Sequence, residues 1–308
     1  MSFWITLQTV LLMLAYSVPG YLLVRFKKIP QDDIPSFANV LLYACAPFQT
    51  MYAMHKVELS GYMVKYLGIA FVCGVVMMGG MLALCYFLLR KKQDKVIYRI
   101  IVVSAAMGNC GFMGIPMVEA LMPEYPQGVA FTSGFFLAMN MLMWTAVSFI
   151  YTRDRNYISV KKVFLNPSVI AMGAALIVFF GRIDLPATVV KFIDVLGTMS
   201  TPLCMLILGM RLAVIPIKPM FTRPAQYAAC ALKQIAFPLM AFALLYFAPV
   251  EREFARTIVI LCAMPVGNLV LSFAEILGQG QDVAANTVLL STLLSLATVP
   301  ALMAMVMA

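Results

Sequence analysis

Long apolar runs recur along this chain, with only short polar stretches between them. About 20 apolar residues at 1.5 Å of helical rise each span the hydrocarbon core of a bilayer. The pattern predicts helices at Phe3–Val24, Ile34–Met54, Tyr62–Leu89, Ile97–Leu121 and Gln127–Tyr151. A second set is expected at Pro167–Phe180, Ala187–Met210, Pro224–Phe247, Arg256–Leu277 and Asp282–Met307, the sixth helix being the shortest. The expected class is an all-α membrane protein of about ten transmembrane helices. Its longest connections, Thr152–Asn166 and Arg211–Arg223, leave no room for a soluble domain. The first apolar run has no preceding basic residue and exceeds the roughly 7–15 residues of a signal peptide core, so it reads as a retained span.

Composition agrees with lipid as the main solvent. The 308 residues are 63% hydrophobic and 11% charged, against about 25% charged in soluble domains. The seven cysteines all fall inside expected helices, where a thiol packs as a small apolar group, so no disulfide framework is implied.

The net charge of +9 is placed unevenly. Odd-numbered loops and their edges carry 15 basic residues, including Arg25, Lys27, Lys28, Arg90, Lys91 and Lys92. Even-numbered ones carry six: Lys56, Lys65, Arg182, Lys191, Arg252 and Arg256. Because basic loops remain cytoplasmic, both termini are expected outside the cell (inner) membrane. The basic excess then reports topology and contact with anionic lipid, and nucleic acid is not an expected partner.

The chain divides at the basic loop 152–166 into two five-helix halves, 1–151 and 167–308. An odd number of spans per half makes similar halves inverted relative to one another. Short internal matches support such a repeat. Ala106-Met107-Gly108-Asn109 in helix four parallels Ala263-Met264-Pro265-Val266-Gly267-Asn268 in helix nine, and Pro47 in helix two parallels Pro202 in helix seven, each proline being expected to interrupt its helix. Val129-Ala130 opens helix five much as Val283-Ala284 opens helix ten. Inverted repeats with paired interrupted helices are typical of secondary transporters, whose substrate site lies at the repeat interface.

Helix four contains Gly108, Gly111, Gly114 and Pro116 within nine residues, and helix nine contains Pro265 and Gly267. Such runs are costly in a helix interior. In hydrocarbon, non-helical backbone persists only where it is buried in protein or faces a wet cavity. The expectation is that helices four and nine unwind at mid-membrane and cross. Freed amides near Gly108 and Pro265, positive half-helix ends, and the side chains of Asn109 and Asn268 would then receive an anion. The alternative is that the glycines serve close packing and the prolines make simple kinks.

Other polar positions are open at this level. Ser104, one turn before the break, either lines the cavity or bonds back to its own helix. Asn140 either faces the cavity or pairs with a neighbouring helix. Lys233 is expected to snorkel to the nearer face in preference to a place in the transport path. Glu119 and Glu275 occupy corresponding positions late in helices four and nine, near the aqueous ends or in a proton pathway. Asp194 and Lys191 read as a solvated or paired edge.

Enzyme chemistry finds no support. His55 is the single histidine, and no phosphate loop, H-E-x-x-H helix or G-x-S-x-G elbow occurs. No metal and no cofactor are expected, and the protein reads as no enzyme.

The string Asn109-Cys110-Gly111-Phe112-Met113-Gly114-Ile115-Pro116 resembles the auxin efflux carrier family, whose bacterial members include malate or malonate permease-like transporters. The resemblance extends to Ala263-Met264-Pro265-Val266-Gly267, Phe273-Ala274-Glu275, Thr201-Pro202-Leu203 and Leu208-Gly209-Met210-Arg211-Leu212. It implies a scaffold of helices one, two, six and seven, a moving part containing helices four and nine, a homodimer formed through the scaffold, and elevator-type transport of an organic anion. It also implies substrate contacts at Asn109 and, by position, at Ser104 and Asn268. The plant carriers have proline where Gly108 stands and a mostly apolar residue at Asn268, which suits a smaller, more polar carboxylate than auxin. The long central loop of the plant proteins is missing. Drive by the membrane potential or by protons fits this reading; a field of 100 mV contributes roughly 2.3 kcal/mol per monoanion. The alternatives are a sodium-coupled carrier of the bile-acid symporter type, which needs acidic and amide oxygens around the crossing, and a non-transporting membrane receptor.

Overall fold

A computed structural model of the chain describes every residue except Met1, Lys56, Leu59, Ser159 and Ala308. Lys56, one of the even-loop basic residues, therefore lies outside the described residues. The described residues form helices joined by short turns, with no β-strand among them. In chain order these are α1 (Ser2–Arg25), α2 (34–55), α3 (Gly61–Leu88), α4a (Val96–Ala106), α4b (Gly114–Leu121) and α5 (Gln127–Thr152). They continue with α6 (Pro167–Gly181), α7 (Ala187–Val214), α8 (Pro224–Tyr246), α9a (Arg252–Ala263), α9b (Asn268–Ile276) and α10 (Gln281–Val306).

Among the described residues, seven helical stretches are long and apolar enough to cross a membrane: α1, α3, α5, Arg155–Gly181 (which contains α6), α7, α8 and α10. Helices two, four and nine fall outside that group. The last two are each divided at the glycines and prolines that the sequence marks.

Local chemistry sets the helix ends. Ser60 caps α3 by accepting a hydrogen bond from the Met63 amide at 3.2 Å. Asn166 caps α6 by accepting from the Ser168 amide at 2.9 Å, with Pro167 in the first turn, where its missing N–H is not needed. The outer surface is apolar. Val72, Val76, Phe87, Ile177 and Phe180 are all exposed, while Gln49, Asn109, Lys233 and Gln234 are buried. Lipid as solvent produces this distribution.

The helices pack in two groups, which meet where the first half of α1 lies against α10 and α4b. In one, α7 lies against the second half of α1 and against α2, and α2 lies against α6. In the other, α3 packs on α5 and α4a, α8 on α4a and α9a, and α10 on α8 and α9b. The α1–α7 contact is very close: a Cβ added at Gly20 would lie 2.0 Å from the Leu206 carbonyl oxygen.

Two prolines expected to interrupt helices do not. Helix α7 runs unbroken through Pro202, whose exposed ring removes one donor without unwinding the turn. Pro47 sits just inside a regular helical segment, directly after a wider π-helical turn at Val40–Cys45 that realigns the hydrogen-bond register. Pro116 also breaks nothing. It is the third residue of α4b, where amides have no intrahelical partner, so it starts a helix instead of ending one.

Candidate functional site

The two interruptions meet. Residues 107–113 separate α4a from α4b, and residues 264–267 separate α9a from α9b. Gly108 and Val266 pair as an isolated antiparallel bridge. The Asn109 amide donates to the Pro265 carbonyl at 2.8 Å, and the Gly267 amide donates to the Met107 carbonyl at 3.1 Å. This reciprocal exchange satisfies backbone groups that the broken helices release, as a buried crossing requires. Only glycine fits at its centre. A Cβ at Gly267 would lie 2.7 Å from the Gly108 carbonyl oxygen.

Each break is finished by side chains from other helices. The Gly111 carbonyl accepts from Gln49 of α2 at 3.4 Å, and the Phe112 carbonyl accepts from the Thr201 hydroxyl of α7 at 2.8 Å. On the other break, the Val266 amide donates to the Ser291 hydroxyl of α10 at 3.1 Å. The Cys262 carbonyl at the end of α9a accepts from the Lys233 ammonium of α8 at 2.6 Å.

Asn109 is only 5% exposed, and Asn268 is half-buried at the start of α9b. The Asn268 amide donates to the Cys204 thiol at 2.9 Å, and Asn109 lies beside the same sulfur. The two asparagines expected at the site thus converge on one point of α7. Gly111 lies within the first break, and Gly114 opens α4b. Ser104 is fully buried, and its hydroxyl makes no back-bond to its own helix.

Asn140 is not brought to the crossing. Its amide donates to the Phe136 carbonyl at 3.0 Å, and its oxygen accepts from Asn166 at 3.4 Å, so it ties α5 to the start of α6. Lys233 does not snorkel: it is 0% exposed and held at the break by the Cys262 carbonyl. Glu119 accepts from the Tyr52 hydroxyl at 2.9 Å, and Glu275 pairs with Arg211 at 2.6 Å. Each late carboxylate therefore meets α2 or α7. Asp194 is a paired edge, 2.6 Å from His55.

Two cavities adjoin the half-helix N-termini. One of about 200 Å³ is lined by Gln49, Tyr52, Thr201, Glu119 and the first turn of α4b at Ile115 and Pro116. The other, about 40 Å³, is lined by Asn268, Ser272, Arg211 and Glu275. A third cavity, about 660 Å³, lies at His55, Glu58, Arg182 and Asp184, and no residue of the crossing lines it. Among the described residues, no group of three or more His, Cys, Asp or Glu side chains is arranged to hold a metal ion.

Sequence alone does not mark Gln49, Thr201, Cys204 and Lys233 as residues of the crossing. Gln49 and Lys233 carry a signal, being polar side chains deep in apolar helices, whereas Cys204 reads as ordinary packing.

With this geometry in view, the match of residues 5–303 to a family described as "Membrane transport protein" is decisive. The chain belongs to that membrane transport protein family. Within it, the chain is 23% identical over 305 residues to an uncharacterized transporter of Methanocaldococcus jannaschii, covering 95% of this chain and 96% of that protein. It is also 28% identical over 146 residues to a protein of Rhizobium meliloti named "Putative malonate transporter", covering 46% of this chain and 44% of that one. The resemblance to auxin efflux carriers, carried by the helix-four string, points to the same membrane transport family.

Proposed function

We propose that this chain is a secondary transporter of a small carboxylate, working by elevator-type alternating access. One observation carries the reading: two broken helices cross at Gly108 and Val266, so the positive N-termini of α4b and α9b and two asparagines face one region. Backbone amides and dipole ends of this kind favour an anion without needing a carboxylate-bound cation. A small dicarboxylate is the proposed class, in keeping with the name of the R. meliloti relative and with the polar Asn268.

On this reading the ten helices form two inverted halves, 1–151 and 167–308, joined by the cytoplasmic loop 152–166. The reciprocal bonds at the crossing, which relate the two breaks pairwise, support it. Helices α1, α2, α6 and α7 form the scaffold and the dimer interface, and the remaining helices move. Both termini face outside, from the distribution of basic loops. The cavity of about 200 Å³ then opens outward and that of about 40 Å³ is the closed inward side.

The test is malonate binding to protein purified in nanodiscs, followed by flux in proteoliposomes. Asn109→Ala is expected to weaken malonate at least roughly tenfold, the loss of one hydrogen bond to a charged ligand, with an unchanged thermal unfolding temperature. Equal affinity in the mutant would remove the crossing from the binding site. Binding without flux would make the protein a receptor, and flux that requires sodium would make it a symporter.

A further inference from the structure

A crossing of two broken helices gathers four half-helix ends. The N-termini of α4b and α9b each carry about half a positive charge, and the C-termini of α4a and α9a about half a negative charge. The negative ends oppose the positive ones and weaken the preference for an anion that the two N-termini give.

Lys233 changes that balance. It lies in a π-helical turn of α8, Leu232–Ala236, an irregularity frequently found at functional sites. Its side chain is 0% exposed. In a continuous helix the Cys262 carbonyl would accept from the Val266 amide, but that amide turns to Ser291 instead. The released carbonyl accepts from the Lys233 ammonium at 2.6 Å. The same ammonium rests against the other break, since a Cβ at Gly108 would lie 2.9 Å from Lys233 Nζ. It also sits 4.7 Å from the centre of the Phe237 ring, which favours a cation. No carboxylate among the described residues pairs with it.

We propose that Lys233 is a tethered cation that neutralises the negative helix ends of the crossing, so that a carboxylate binds there without a co-bound metal cation. The inference rests on the anion-carrier reading above and deepens it. The covalent ammonium occupies the slot that a free sodium ion would otherwise fill, and the positive ends of α4b and α9b are left unopposed for the substrate. Lys233 is a positioning residue: it sets the field and does not touch the substrate.

The experiment uses full-length protein in nanodiscs, with malonate as the anion probe, in choline or sodium buffer. Wild-type affinity is expected to be the same in both buffers. Lys233→Met should bind malonate at least roughly tenfold more weakly, the effect of removing a nearby unit charge. Its thermal unfolding temperature should stay close to that of wild type, because the desolvation cost removed with the buried charge offsets the hydrogen bond lost at the Cys262 carbonyl. Lys233→Ala should be stabilised by n-propylammonium, which replaces the three methylenes and ammonium removed, and should regain malonate affinity in its presence. Neither effect should occur in wild type.

Sodium-dependent binding in wild type, malonate affinity of Lys233→Met within twofold of wild type, or a Lys233→Ala protein indifferent to propylammonium would each overturn the proposal. Should wild type bind no carboxylate, the anion-carrier reading fails. The thermal response of Lys233→Ala to propylammonium still decides whether the position is a cation slot. If Lys233→Met does not fold, Lys233→Ala purified with propylammonium gives the same comparison when the amine is withdrawn.

Discussion

The two interruptions look alike in sequence but are held differently. The break in helix nine is short, residues 264–267, and is fastened by Lys233 of α8 and Ser291 of α10. The break in helix four spans residues 107–113, and its Gly111 and Phe112 carbonyls are fastened by Gln49 of α2 and Thr201 of α7. The freed backbone groups of one break are thus fixed within the group of helices that surrounds it, and only the Asn268 side chain reaches across, to Cys204 of α7. The freed carbonyls of the other break are themselves bonded across to the opposite group. In an elevator the bonds from Gln49 and Thr201 must be exchanged as the groups slide, whereas those from Lys233 and Ser291 travel with the crossing. The difference separates what builds the site from what moves it.

Substitutions break this comparison in graded steps. The largest effect is expected at the crossing itself. Gly267→Ala places a methyl against the Gly108 backbone and should lower stability by about 3 kcal/mol, as overpacking against rigid backbone does. Thermal unfolding of purified protein measures it. Gly173→Ala, where an added methyl meets nothing within 4 Å, is the control, with a change within about 0.5 kcal/mol.

Next comes Ser291→Ala, which leaves the buried Val266 amide without its acceptor and should cost about 2 kcal/mol in the same assay. Across the break in helix four, Thr201→Val removes one donor from the Phe112 carbonyl. It should cost only about 1 kcal/mol of stability. Transport rate in proteoliposomes should change by a larger factor than malonate affinity does. Equal changes in rate and affinity would place Thr201 with the fixed fastenings. The smallest effect is expected for Glu275→Gln. Its ion pair with Arg211 is partly exposed, at 33% and 19%, and such pairs contribute no more than about 1 kcal/mol.

Much of the fold was legible because bilayer thickness turns apolar run length into helix position. Helix α5 begins at Gln127 and α7 at Ala187, as the runs indicate. The two breaks were legible because they are written locally, as glycine and proline within one short segment. Pro202 shows the limit of that signal. A lone proline in an otherwise apolar run removes one hydrogen bond, and the helix continues. Side-chain destinations were less legible. Asn140 finds Asn166, a partner set by how α6 returns to the bundle. Lys233 reaches a carbonyl 29 residues away that exists as a free acceptor only because helix nine breaks, and no local pattern announces that. Cys204 receives the Asn268 amide because α7 passes the crossing, and its own sequence neighbourhood reads as packing.

The most direct measurement is a cryo-electron microscopy map of the protein in nanodiscs with saturating malonate. Ligand density is expected between Asn109, Asn268 and the first turns of α4b and α9b. Density confined to the larger cavity at His55 and Arg182, with the crossing unoccupied, would contradict it.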